Sequence, residues 1–187
     1  MRSFAPILCC LSLCACVTSH PDHFYILNVQ PPGESPPRTT PATPAVLKVT
    51  VPSWLDRPEM VINSSADAVV VLEHERWAAP LADLALQALA RDLERRHTDV
   101  VIADPRLDAA GQAAVKIAVD LVQMTVGRGS RATLEAHWRI IDRRSGKEEI
   151  GTAVLSAPVA GEDYAAVAQA WSACLGLLAD RVADQLP

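Results

Sequence analysis

No cysteine framework holds this 187-residue chain together: Cys9, Cys10, Cys14 and Cys16 crowd the first sixteen residues, and only Cys174 lies in the body. A disulfide-stapled scaffold is thereby excluded, because its bridges have to join distant parts of the chain. Basic residues are in deficit as well, 17 against 22 acidic, giving a net charge of -5 and a pI near 5.5. Generic nucleic-acid binding draws its affinity from phosphate neutralisation, and no basic stripe offsets the deficit, so nucleic acid is not an expected partner. A membrane-spanning run is missing too. The apolar stretch at residues 4–15 is cut off by Thr18, Ser19, His20 and Asp22, short of the roughly 20 residues that cross a bilayer.

Catalytic and metal signatures are equally scarce. No serine sits on a strand-to-helix elbow, and Cys174 falls in an apolar helical stretch where a buried, inert thiol is expected. His20 and His23 have the spacing of a metal pair, yet no cysteine or carboxylate set completes a tetrahedral site, and a solvated tether is the expected assignment. His74, His97 and His137 are isolated from one another in sequence. Gly127-Arg128-Gly129-Ser130-Arg131 lacks the third glycine and the Lys-Ser/Thr of a phosphate-binding loop and joins two strand-like segments, which makes it a hairpin turn. The carboxylate pairs Glu73/Glu75 and Asp83/Glu94 read as solvated faces. No enzyme activity, catalytic residue, metal or cofactor is expected.

What is present begins with an export signal. Arg2 precedes the apolar run, which closes on Leu13-Cys14-Ala15-Cys16, the shape of a signal peptide over residues 1–15. The closing four residues resemble the bacterial lipobox, which makes Cys16 the expected lipidation site, with Val17 after it favouring the outer membrane. An ordinary secretory signal cleaved near Ala15 is the alternative. Residues 16–23 then form a lipidated tether to a single body at 24–187.

Half the residues are hydrophobic and 21% charged, the make-up of an ordinary globular domain. Residues 24–29 predict a first strand. Residues 30–44 hold six of the fourteen prolines and predict a solvated, semi-extended loop. Strands are expected at 45–51, 59–63 and 68–73, running as a meander. Pro80 opens a helix through Arg96 with apolar positions at Leu81, Leu84, Ala85, Ala88, Leu89 and Leu93. A short apolar run at 100–102 precedes a hairpin in which Val115, Ile117, Val119 and Leu121 on one strand, and Leu134, Ala136, Trp138 and Ile140 on the other, alternate with polar residues. A strand at 150–157 and a helix at 161–186 complete the chain. The fold class is therefore α+β, an antiparallel or mixed β-sheet with two α-helices packed on one face.

Two segments are more specific: Trp54-Leu55-Asp56-Arg57-Pro58 and Glu75-Arg76-Trp77-Ala78-Ala79-Pro80-Leu81. With Phe24-Tyr25-Ile26-Leu27, Ala136-His137-Trp138 and Tyr164-Ala165-Ala166-Val167, they resemble the PqiC-like, ABC-type transport auxiliary lipoprotein family over nearly the whole mature chain. Trp54 replaces the more usual tyrosine, and Ala79 the usual acidic residue. The resemblance implies a non-enzymatic outer-membrane lipoprotein facing the periplasm. Its implied partners are a periplasm-spanning protein with mammalian-cell-entry (MCE) domains and an inner-membrane transporter component, and its implied task is moving lipid between membranes. On this reading the chain is a docking module, a homo-oligomeric ring around the MCE tunnel axis. The competing reading is a lipid carrier with an apolar hollow between sheet and helices. Trp54, Leu55, Arg57 and Arg76 are the candidate partner-binding residues, aromatic and arginine side chains being over-represented at interfaces. The rival for Arg57 is an internal pair with Asp56 or Glu59 that fixes the turn.

Overall fold

The computed structural model describes residues 20–29, 42–103 and 112–187. The signal peptide, Cys16 and residues 30–41 of the Pro-rich segment lie outside the described residues. The elements are β1 (His23–Tyr25), β2 (Thr43–Thr50), β3 (Glu59–Asn63), β4 (Val69–Trp77), α1 (Leu81–Arg96), β5 (Val100–Ile102), β6 (Val115–Thr125), β7 (Arg131–Asp142), β8 (Glu148–Pro158) and α2 (Tyr164–Ala183).

A five-stranded sheet runs in the order β5-β2-β6-β7-β8. β2 is parallel to both its neighbours, and β6, β7 and β8 are antiparallel. The α+β class with a mixed sheet and two helices is thus borne out. The alternating positions read from the sequence are the core face: Val115, Ile117, Val119 and Leu121 on β6 and Leu134, Ala136, Trp138 and Ile140 on β7 are all buried. α1 packs over β2 and β5, and α2 over β7 and β8. Asp92, fully buried, binds Arg96 one turn on at 3.1 Å, and Arg96 also binds Asp180, which joins the ends of the two helices.

The expected meander of β2, β3 and β4 does not form. β3 and β4 make a hairpin in a second sheet of order β1-β4-β3, with β1 parallel to β4. The reason lies in residues 51–58. Leu55 and Asp56 donate their N–H groups back to the Pro52 carbonyl, and this turn carries the chain away from the end of β2, an inner strand of its sheet. The two sheets meet where Asn63 and Val126 exchange hydrogen bonds, one to the Val126 carbonyl at 2.7 Å and one to the Asn63 side chain at 3.0 Å.

Smaller differences have local causes. β2 starts at Thr43, so Pro44 belongs to the strand and not to the loop, tolerated because proline near a strand's start loses little pairing. β1 ends at Tyr25, not Val29. Beyond it the chain crosses the helices, with Leu27 buried and the Asn28 N–H on Ser172 Oγ at 3.0 Å. β4 runs on to Trp77 because β1 pairs with its second half. The β6–β7 register shifts between Leu121 and Gln123, leaving Val122 exposed and turning Met124 and Val126 inward. α2 starts later than expected, at Tyr164, where the Asp163 side chain accepts the Ala166 N–H at 2.8 Å. Gly127–Ser130 is the expected hairpin turn, with Gly129 at φ 62°.

Trp138 lies over Gly151 on β8, and its indole N–H reaches Gln185 Oε1 at 2.8 Å. A Cβ on Gly151 would come within 2.2 Å of the indole ring. Gly151→Ala should therefore displace Trp138 and cost about 1–3 kcal/mol in urea unfolding, as overpacking does. An unchanged midpoint would mean that the ring can move aside freely.

Candidate functional site at the motif junction

The distinctive segments converge. Parallel pairing sets His23 beside Glu75, Phe24 beside Arg76 and Tyr25 beside Trp77. The Trp77 N–H reaches the Pro58 carbonyl at 2.7 Å, and the Ala78 N–H reaches the Tyr25 carbonyl at 2.9 Å. Three parts of the chain, 23–25, 54–59 and 75–82, thus share one backbone network.

Glu59 is its ionic centre. One carboxylate oxygen takes the Arg57 guanidinium at 3.0 Å and the other the Arg76 guanidinium at 3.2 Å. The hydrogen bond from Arg57 is the main reason that the Glu59 carboxyl titrates below its ordinary range. A folded-state value below the unfolded one contributes stability above the ordinary glutamate pKa of about 4.3 and loses it as pH falls through the folded value. Thermal midpoints measured from about pH 5 down to pH 3 should fall more steeply for the parent than for Glu59→Gln. Parallel curves would show that the carboxylate contributes nothing.

Asp56 supplies what Pro80 cannot. The N-cap of α1 is Pro80, which makes no side-chain cap, and Asp56 Oδ1 accepts the Ala82 N–H at 3.3 Å instead. An anion at a helix N-terminus is favourable for orphan donors and dipole alike. Trp77 is buried and stacked on Trp171 of α2, centroids 5.7 Å apart and planes at 28°. On the face of β1 that Trp77 shares, Tyr25 donates to Glu75 Oε2 at 2.6 Å, and His23 Nδ1 lies 3.1 Å from Glu75 Oε1. Burial, then the bond to Glu75, pushes the Tyr25 phenol above its usual range, so it stays protonated.

The candidate residues therefore separate. Leu55 is 2% exposed and belongs to the core, whereas Trp54 is 44% exposed. Arg57 and Arg76 are both paired with Glu59, the internal reading weighed for Arg57, while parts of both guanidiniums remain open to solvent. Cys16 lies outside the described residues. From the sequence, Glu59 is legible only as a rival partner of Arg57 and not as a partner of Arg76, and Glu75 reads as part of a solvated face, whereas it holds Tyr25 and His23. The Arg57–Glu59 pair was visible because the two lie two residues apart; the Arg76 bond and the partners of Glu75 carried no local signal, the latter coming from a parallel strand about fifty residues away.

Residues 20–23 differ from a solvated tether. His23 lies in β1, His74 Nδ1 is 3.0 Å from Asp22, and His20 stacks on His74 at 5.8 Å. Among the described residues no group of three or more His, Cys, Asp or Glu could hold a metal ion. Cys174 is buried as expected, and burial raises its thiol to about 11. It should resist a thiol reagent at pH 8 in the folded protein and react once denatured; equal rates in both states would place it at the surface.

No curated protein matches the sequence. Among solved structures, an uncharacterized protein superposes with a TM-score of 0.73 at 15% identity, covering 90% of this chain and 100% of the other. Protein XCC0632 from Xanthomonas campestris superposes with a TM-score of 0.67 at 19% identity, covering 86% and 92%. These likenesses show a shared fold. Over residues 25–183 the sequence matches the family of ABC-type transport auxiliary lipoprotein components, and the chain belongs to that family, as a non-catalytic auxiliary part of a transport system.

Proposed function

We propose that the chain is the outer-membrane lipoprotein of an MCE-type intermembrane lipid transport system, a docking module anchored through Cys16. It receives the outer end of a periplasm-spanning MCE protein whose inner-membrane component completes the path. The observation that carries this reading is the family match across nearly all of the described body, which begins a few residues after a lipobox-like Leu13-Cys14-Ala15-Cys16. Docking is favoured over a carrier role because the space between sheet and helices is occupied by Leu47, Val49, Ile117, Trp138, Trp171 and Leu175, all buried.

Trp54 is the side chain best placed for the partner. Leu55 beneath it, together with Arg57 and Arg76 on Glu59, holds the loop in position, so little ordering entropy is lost on binding. Assembly into a ring is supported by β8, an edge strand of the five-stranded sheet with Ile150 and Val154 exposed, since open apolar edges are pairing surfaces.

The test uses a photocrosslinking residue at position 54 of the full chain in its native envelope. A crosslink to the MCE protein is expected, and Trp54→Ala should weaken co-purification with an unchanged melting temperature. Full co-purification by Trp54→Ala together with no crosslink refutes the role of this loop. Independently, Cys16→Ala should abolish incorporation of labelled fatty acid, and undiminished labelling would move the anchor elsewhere.

A further inference from the structure

The chain around β1 is two-sided in an unusual way. Tyr25 and Leu27 turn toward the core, as alternation requires. The intervening positions face water, and they hold Phe24, 64% exposed, and Ile26, 52% exposed. Large apolar side chains at consecutive outward positions of one short segment make a patch, unlike the scattered exposed residues of any protein surface.

Arginines border it. Arg76 is the cross-strand neighbour of Phe24. Ile26 and Val29 form one wall of a groove of about 330 Å³ whose other wall is α1, with Leu84, Ala88, Arg91 and Arg95. Asp83 opens the exposed row of α1 that continues through Gln87 to Arg91 and Arg95. The row thus ends on its basic members at the groove.

Position in the chain selects the occupant. Phe24 lies eight residues after Cys16, so a chain extended at about 3.6 Å per residue keeps it within about 30 Å of the anchored sulfur. A surface held that close meets the bilayer at high effective concentration. Exposed aromatic and aliphatic groups flanked by arginines are the composition that sits at a headgroup boundary, apolar parts inward and guanidiniums on phosphates.

We propose that Phe24, Ile26 and Arg91 form a membrane-facing surface that rests on the anionic phospholipid headgroups of the leaflet holding the anchor. It sets the orientation of the body, so that the protein is held at two points, the lipid on Cys16 and this patch. The inference rests on the lipidation of Cys16 proposed above.

The experiment uses the full lipidated chain in vesicles of phosphatidylethanolamine and phosphatidylglycerol. An environment-sensitive NBD label is placed on Ile26→Cys, with Asp67→Cys in the exposed β3–β4 turn, at the end of β4 away from β1, as the control; buried Cys174 does not compete for the reagent. Flotation with the vesicles reports the anchor, and label emission reports the patch. The expected result is flotation of both proteins, with a blue-shifted, brighter signal at position 26 alone, quenched by doxyl-labelled phospholipid. Arg91→Glu should remove most of that gain without lowering the melting temperature, since Arg91 is exposed. Flotation with position 26 as wet as position 67 overturns the membrane surface and leaves the anchor standing. Loss of flotation overturns both. A blue shift that doxyl lipid does not quench, and that grows with protein density, assigns the patch to a second copy and overturns the proposal.

Discussion

Trp171→Ala should lower the free energy of unfolding by about 3–5 kcal/mol, read as a shift of the denaturant midpoint at unchanged slope. Trp171 is 2% exposed and stacks on Trp77. Its ring is where α2, from the end of the chain, meets the end of β4, so the stack joins the second sheet to the helical layer. Truncation removes a large transfer contribution and leaves a cavity whose walls, Trp77 among them, are fixed by backbone pairing and collapse little. Trp138→Ala should cost a similar amount, since it empties the space over Gly151 and leaves Gln185 without its indole donor. A parent-like midpoint for either variant would show that the ring adds no core stability.

Leu55→Ala should cost about 2–5 kcal/mol, the range for a buried leucine, and the measurement matters because it separates two roles within one loop. Leu55 is 2% exposed and its neighbour Trp54 is 44% exposed. A core role for Leu55 predicts a lower midpoint with association normal per folded molecule. Trp54→Ala should give the reverse, parent-like unfolding with weaker association. If Leu55→Ala melts like the parent, the turn made by Pro52, Leu55 and Asp56 is held by its backbone bonds alone.

Local signals were legible where they coincided with local physics. Pro80 followed by apolar residues at helical spacing marked α1 at its observed bounds, because proline suits a helix start and the stripe needs a core. The alternation on β6 and β7 identified the buried face of each strand. Where partners decide, the reading failed. A strand pattern names a face and not a neighbour, so nothing local distinguished a β2–β3–β4 meander from β2 flanked by β5 and β6. The length of β4 depended on β1 arriving beside it, and the shortness of β1 on its departure toward Ser172.

The candidate site divides in the same way. Its residue types, Trp54, Leu55, Arg57, Arg76 and Trp77, stood out in sequence and carried the family resemblance, but their roles did not. Whether an arginine is a recognition group or half of an ion pair depends on which carboxylate the fold brings within about 3–4 Å, and Coulomb attraction at that range is set by tertiary position, not by sequence distance. Composition and periodicity by themselves determined an α+β body. The tertiary structure alone decided that Glu59 takes both arginines, that Asp56 serves the bare N-terminus of α1, that Leu55 is core and Trp54 surface, and that Phe24 and Ile26 face outward. These rest on contacts between segments tens of residues apart, which form only when the whole core closes and compensates the ordering of the chain.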